Sequence, residues 1–177
     1  MSEALKILGD KRRELILQWL KESQEPITGG DLAKKTNVSR QVIVQDISIL
    51  KAKGESIMAT SQGYVYLQLQ QENKKHRRVI ACFHDPKDTK EELLLLVDAG
   101  VTIQDVSIEH PIYGDLTASL RLSNRFQVEQ FMKKLEETNA GLLSLLTDGT
   151  HLHTIEADSE EQLDHACQAL KKANFLL

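Results

Sequence analysis

The sequence predicts an α+β chain in two parts, a helical head that ends in a β-hairpin and an α/β body. Three observations carry this. Apolar residues recur at a helical period through the first fifty or so positions. Between Ser56 and Leu67, two short β-prone runs flank Ser61-Gln62-Gly63, the pattern of a hairpin. From Val79 onward, strand-like and helix-like stretches alternate, with breaks marked by Gly, Pro or Asp. A chain of 177 residues, 41% hydrophobic and 27% charged, can bury the cores of two small domains.

Composition narrows the classes of function. No apolar run approaches the ~18–20 residues of a membrane span, and Met1-Ser2-Glu3 begins no signal peptide. The two cysteines, Cys82 and Cys167, form no CxxC pattern, so a reducing cytoplasm and no membrane partner are expected. The net charge of −4 conceals an asymmetry. Residues 1–78 hold 14 Lys and Arg against 9 Asp and Glu, a balance of +5; residues 79–177 hold 8 against 17, a balance of −9. A basic head on an acidic body suggests that the head alone meets a polyanion.

In the head, Leu5, Leu8, Leu15, Ile16, Trp19 and Leu20 mark a helix that becomes regular near Gly9-Asp10. Pro26-Ile27-Thr28 is extended, with Thr28 as a cap for a short helix over 31–35. After the turn Thr36-Asn37-Val38-Ser39, Ser39 caps a third helix to about Lys53 that buries Ile43, Ile47 and Leu50 and stops at Gly54. Two helices joined by a tight turn form a helix-turn-helix, and the following hairpin makes it winged. The outward face, Arg40, Gln41, Val44, Gln45 and Ser48 with Ser39 at its start, suits double-stranded DNA. Arg fits guanine, Gln fits adenine and Val a thymine methyl, and Arg40 could equally hold a phosphate. Asp46, between two of these residues, is expected to face a neighbouring helix or a basic side chain.

The head is expected to span residues 1–70, a basic linker 71–78, and the body 79–177. Lys74-Lys75-His76-Arg77-Arg78 either adds phosphate contacts or is a solvated link, with His76 at the surface. In the body, strands are expected at 79–84, 102–109, 116–122, 142–146 and 151–156. Helices are expected at 90–99, from Ser123 or Asn124 to about 138, and after the capping box Ser159/Gln162. The first six elements, β-α-β-β-α-β, have the ferredoxin-like sequence, and a further strand and helix follow.

The stretch Gly149-Thr150-His151-Leu152-His153 turns and then alternates as a strand, so both imidazoles face one side. Such a pair either holds a transition metal or lies half-exposed on a sheet. His84 ends the first strand of the body, and Glu91 and Glu92 begin the helix after the Asp85-Pro86 turn. A sharp reversal there brings His84 and one of the two carboxylates together. With His151 and His153 this makes a three-His, one-carboxylate set suited to zinc, nickel, cobalt or ferrous iron. Cys82 shares a face with His84 and is a minor candidate as a soft ligand, while buried cysteine is more often core. His165 is expected at a helix surface, and His110 in a turn.

Four stretches carry a resemblance. They are His84 with Lys90-Glu91-Glu92-Leu93, Glu109-His110-Pro111-Ile112-Tyr113-Gly114, Gly149-Thr150-His151-Leu152-His153-Thr154-Ile155-Glu156 and, in the head, Val38-Ser39-Arg40-Gln41-Val42-Ile43-Val44-Gln45-Asp46-Ile47. Together they resemble the bacterial niacin-responsive repressors, a winged helix-turn-helix joined to a 3H domain. The resemblance implies a homodimeric repressor of genes for NAD-precursor synthesis or niacin uptake, with nicotinic acid as co-repressor. It implies a divalent metal, nickel or zinc, on His84, Glu92, His151 and His153, which selects Glu92 over Glu91. It also implies an effector pocket containing His110, with Tyr113 beside it. Two other classes compete: a metalloregulator for which the ion is the signal, and a metal-dependent enzyme. The chain has no phosphate loop, GxSxG or HExxH to support catalysis, so no enzyme is expected.

Overall fold

The computed structural model describes residues 8–67 and 75–177, which fall into two units parting at residues 71 and 72. The first contains α1 (Gly9–Glu22), α2 (Gly29–Thr36), α3 (Arg40–Ala52) and a hairpin of β1 (Ile57–Thr60) and β2 (Gly63–Tyr66). The helix starts follow the capping residues. Thr28 Oγ1 accepts the Asp31 amide at 3.1 Å, and Ser39 Oγ accepts the Val42 amide at 3.4 Å. Asn37 closes α2 in the left-handed region. Ile16, Leu20, Leu32, Ile43, Ile47, Leu50 and Ile57 form the core, each worth about 1.5–3 kcal/mol on burial. The extended link after Pro26 joins the wing: the Ile27 amide donates to Tyr64 O at 2.9 Å, and the Tyr64 amide returns a bond at 2.8 Å. Gly63 permits this approach. Its φ is +142°, and a Cβ there would lie 2.6 Å from the Ile27 carbonyl oxygen.

The second unit is a four-stranded sheet of β3 (His76–Phe83), β4 (Thr102–His110), β5 (Gly114–Leu122) and β6 (Thr150–Ala157). Three helices, α4 (Thr89–Asp98), α5 (Arg125–Thr138) and α6 (Glu160–Lys172), complete it. Leu93, Leu96, Val128, Leu163, Ala166 and Leu170 from these helices share one core with Ile80, Ile103, Leu120, Leu122 and Ile155 of the sheet. The strand order is β3-β6-β4-β5, antiparallel throughout. Both β-α-β crossovers are therefore split, as in the ferredoxin-like element sequence. The order itself differs, because the first and third strands of the body hold the edges where the ferredoxin-like sheet has its second and fourth.

Two expectations are corrected. The apolar run at 142–146 is not a strand: Leu143–Thr147 forms a 3-10 turn, ended by Asp148 in the left-handed region and by the Gly149 amide donating to Ser144 O at 2.9 Å. Short apolar runs do not separate strand from turn by periodicity. The first strand of the body also begins at His76, inside the segment expected as linker 71–78. Its basic residues meet carboxylates of the body. Arg77 donates to Glu156 at 2.7 Å, Arg78 to Asp164 at 2.7 Å and to Glu160 at 2.8 Å, and His76 lies 3.0 Å from Glu160. Lys74 and residues 71–73 of the expected linker lie outside the described residues.

Candidate functional site

Strand register, a turn and a helix start assemble the site in the body. In the β3–β6 pairing, Ile80 faces His153 and Cys82 faces His151, so alternation turns both imidazoles toward the helices. His84 follows β3, and the chain reverses through the 3-10 turn Pro86–Asp88 into α4. That reversal sets Glu92 beneath all three histidines. His84 Nε2 lies 2.8 Å from Glu92 Oε2, His151 Nε2 is 3.2 Å from both carboxylate oxygens, and His153 Nε2 is 3.4 Å from Oε2. The four side chains are buried, Glu92 to 1% exposure, whereas Glu91 faces solvent. Gly149 makes the close turn possible, because at φ +98° a Cβ would stand 2.6 Å from the His84 carbonyl oxygen.

The far ring nitrogens explain what this arrangement can do. His84 Nδ1 lies 2.8 Å from Asp85 O, His151 Nδ1 2.8 Å from Gly149 O, and His153 Nδ1 2.6 Å from Asp105 O. A carbonyl only accepts, so each Nδ1 carries the proton and donates it. The Nε2 atoms all turn to the same carboxylate. Lone pairs facing an anion repel unless protons or a cation lie between them. The electrostatics agree. Burial alone would raise the Glu92 carboxyl, but hydrogen bonding with His151, His153 and His84 holds it far below the ordinary range. Burial alone would lower His84 and His153, and Glu92 raises both above the ordinary histidine value. Imidazoles anchored through Nδ1 to carbonyls, with Nε2 convergent on a buried carboxylate, fit a divalent transition metal.

Beside the four residues lies a cavity of about 200 Å³. His84, Glu92, His151 and His153 form one wall, and Leu93, Val106, Leu120, Phe131 and Leu135 give it an apolar floor. The sequence reading missed two parts of this wall. Phe131 and Leu135 were legible only as the apolar stripe of α5, and Leu142, Leu143 and Ser144 as a strand. Thr89, which opens α4, also lines the cavity. Its hydroxyl is buried and forms no hydrogen bond among the described residues.

His110 and Tyr113, expected in an effector pocket, do not line this cavity. They belong to the β4–β5 hairpin turn. His110 Nδ1 accepts the amides of Ile112 at 3.2 Å and Tyr113 at 3.3 Å, and the two rings lie 4.9 Å apart. The ring nitrogen closes the His-Pro turn, and Tyr113 is left 73% exposed. His165 is on the exposed side of α6.

In the head, Ser39, Arg40, Gln41, Gln45 and Ser48 are exposed along α3, and Val44 is half-buried among them. Ser48 bonds back to Val44 O at 2.9 Å, which leaves its hydroxyl oxygen as an acceptor. Asp46 turns inward, where Arg12 Nε reaches it at 2.6 Å and Arg13 Nη1 at 3.0 Å. The recognition face is thus free of its one acidic residue.

Comparison with known proteins agrees with both units. The 3H domain family matches residues 77–177, and a helix-turn-helix (HTH) domain family matches residues 12–65. The chain is similar to a protein of Bacillus subtilis named transcription repressor NadR, 58% identical over 178 residues, which cover 100% of this chain and 99% of that one. It is also similar to a Thermotoga maritima protein named probable transcription repressor NiaR, 40% identical over 173 residues, 98% and 97% of the two chains. Among the described residues no helix is long and apolar enough to cross a membrane. With an HTH head, a 3H body and end-to-end similarity to two repressors, the chain belongs to the NadR/NiaR-type family of DNA-binding transcription repressors.

Proposed function

We propose that this repressor acts on genes of NAD-precursor synthesis or niacin uptake, with nicotinic acid as co-repressor and a divalent transition ion, nickel or zinc, in the body. The observation that carries the reading is the set of three imidazoles fixed through Nδ1 to carbonyl oxygens, with each Nε2 turned to buried Glu92. Such a centre adjoins a cavity smaller than the ~300–1,000 Å³ of drug-sized sites, a size that favours a single-ring ligand. When bound, the ion would supply positive charge and Lewis acidity beside the cavity. The protein supplies the anchored nitrogens, the carboxylate and an apolar floor against which a flat ring is desolvated. His84, Glu92, His151 and His153 are the proposed ligands, and the cavity rather than the His110 turn is the effector pocket.

Nicotinic acid acts by favouring the homodimer geometry in which two α3 helices meet successive major grooves, about 34–36 Å apart. It must bind that geometry more tightly than the alternative, or it shifts nothing. Gln41, Val44 and Gln45 read base edges. The Arg40 side chain runs over Gly29 at the start of α2, with Nε 3.5 Å from where a Cβ would stand, which favours a phosphate contact for it. The test is calorimetric titration of nicotinic acid into the metal-loaded protein, with nicotinamide as control. Saturable binding of the acid, lost after chelation and in His153→Ala, supports the co-repressor reading. No binding to folded, loaded protein would favour the metalloregulator instead.

A further inference from the structure

Cys82 is fully buried on β3. Its Sγ, a Glu92 carboxylate oxygen and a ring nitrogen of His151 all lie within 4.8 Å of one another. The four-residue centre does not use it. We propose that Cys82 is a thiolate donor to the same ion, so that the centre binds through nitrogen, oxygen and sulfur. The inference rests on the reading that the centre holds a divalent ion.

Position argues for it first. Cys82 pairs with His151 across the β3–β6 register and shares the inward side of its strand with Ile80, both facing the helices. Cys82 belongs to the apolar core, and it also stands beside a carboxylate and an imidazole at distances that a shared ion would close.

Charge argues next. A divalent ion held by Glu92 alone among anions leaves a net positive charge in a region where each ligand is no more than 6% exposed. A second anionic donor neutralises the effector-free centre, and buried charge is stable only when compensated. The chemistry balances without an oxidant: the thiol loses its proton to solvent as the metal–sulfur bond forms, and no electrons move. A thiolate also biases the site toward zinc, cobalt or nickel and away from magnesium or manganese.

The full-length protein, stripped with a chelator and reloaded with Co(II), provides the test. The expected absorption spectrum has an intense near-ultraviolet thiolate-to-cobalt band beside the weaker visible bands. The chain has only two cysteines, so the band should persist in Cys167→Ser and vanish in Cys82→Ser. Wild type and Cys167→Ser suffice even if Cys82→Ser does not fold. Visible cobalt bands without the thiolate band would overturn the sulfur ligand and leave the histidine–carboxylate centre standing. A band that follows Cys167 would overturn it as well, and a failure to take up cobalt would overturn both readings.

Discussion

Asp46 of α3 is 2% exposed and accepts a 2.6 Å hydrogen bond from Arg12 Nε of α1, so the recognition helix is fixed to the first helix by a buried ion pair. Arg13 adds a second contact to the same carboxylate at 3.0 Å. Asp46→Ala leaves the Arg12 guanidinium buried without this partner and is expected to destabilise the head by about 3–5 kcal/mol. Trp19, the single tryptophan, lies on α1. Its fluorescence during urea denaturation reports the head alone, and an unchanged midpoint in Asp46→Ala would refute the assignment.

The histidine–carboxylate centre sets a pH dependence for the metal-free body. His84 and His153 are raised above 6.5 in the fold, so their contribution is complete below that value and is lost as pH rises through the raised values. Glu92 is depressed below 4.5, so its contribution is present above that value and fades as pH falls. The chelated protein should therefore melt highest near pH 5–6 and lower at pH 8. Metal competes with the same protons, so the loaded protein should gain more from its ion at pH 8 than at pH 6. Scanning calorimetry at the two pH values, with and without zinc, checks both slopes.

Among the described residues the buried Thr89 hydroxyl has no hydrogen-bond partner, and such a group costs about 1–3 kcal/mol. The isosteric Thr89→Val should hold or raise the melting temperature of the metal-free protein. A clear fall would mean that the hydroxyl is bonded in solution.

On DNA, two residues of α3 should separate. Arg40→Ala should weaken binding to operator and scrambled duplexes alike and reduce the salt slope by about one. Gln45→Ala should cost about 1–3 kcal/mol on the operator alone. Anisotropy titrations at several salt concentrations distinguish the two. A uniform loss for Gln45→Ala would reassign it to the backbone.

The parts of the fold that were legible in the sequence are those set by local chemistry. Thr28, Ser39, Asn124 and Ser159 each accept the amide three residues on, where their side chains reach without tertiary help. Asp46, which lies between two DNA-facing residues in the sequence, was expected to face a neighbouring helix or a basic side chain, and it meets Arg12 and Arg13. The convergence of His84, His151 and His153 with Glu91 or Glu92 was legible because strand alternation and the Asp-Pro reversal fix directions, and the resemblance chose Glu92. What remained hidden depends on distant pairing. Leu142–Leu146 has strand composition, but a left-handed Asp148 and the Gly149 amide fold it into a turn. Arg77 and Arg78 look like linker until Glu156, Glu160 and Asp164 stand beside them. The local role of His110 was hidden too: its Nδ1 accepts two amides of its own hairpin turn.

His84 leaves the first strand of the body, and His151 and His153 stand on its last. The site therefore cannot exist on a chain still emerging from the ribosome until His153 has been made and β6 has inserted between β3 and β4. On the proposed reading, a product terminated before β6 keeps its HTH head and lacks two of the four residues assigned to the ion. On that reading such a product would also lack the co-repressor's push toward the dimer geometry that docks on DNA.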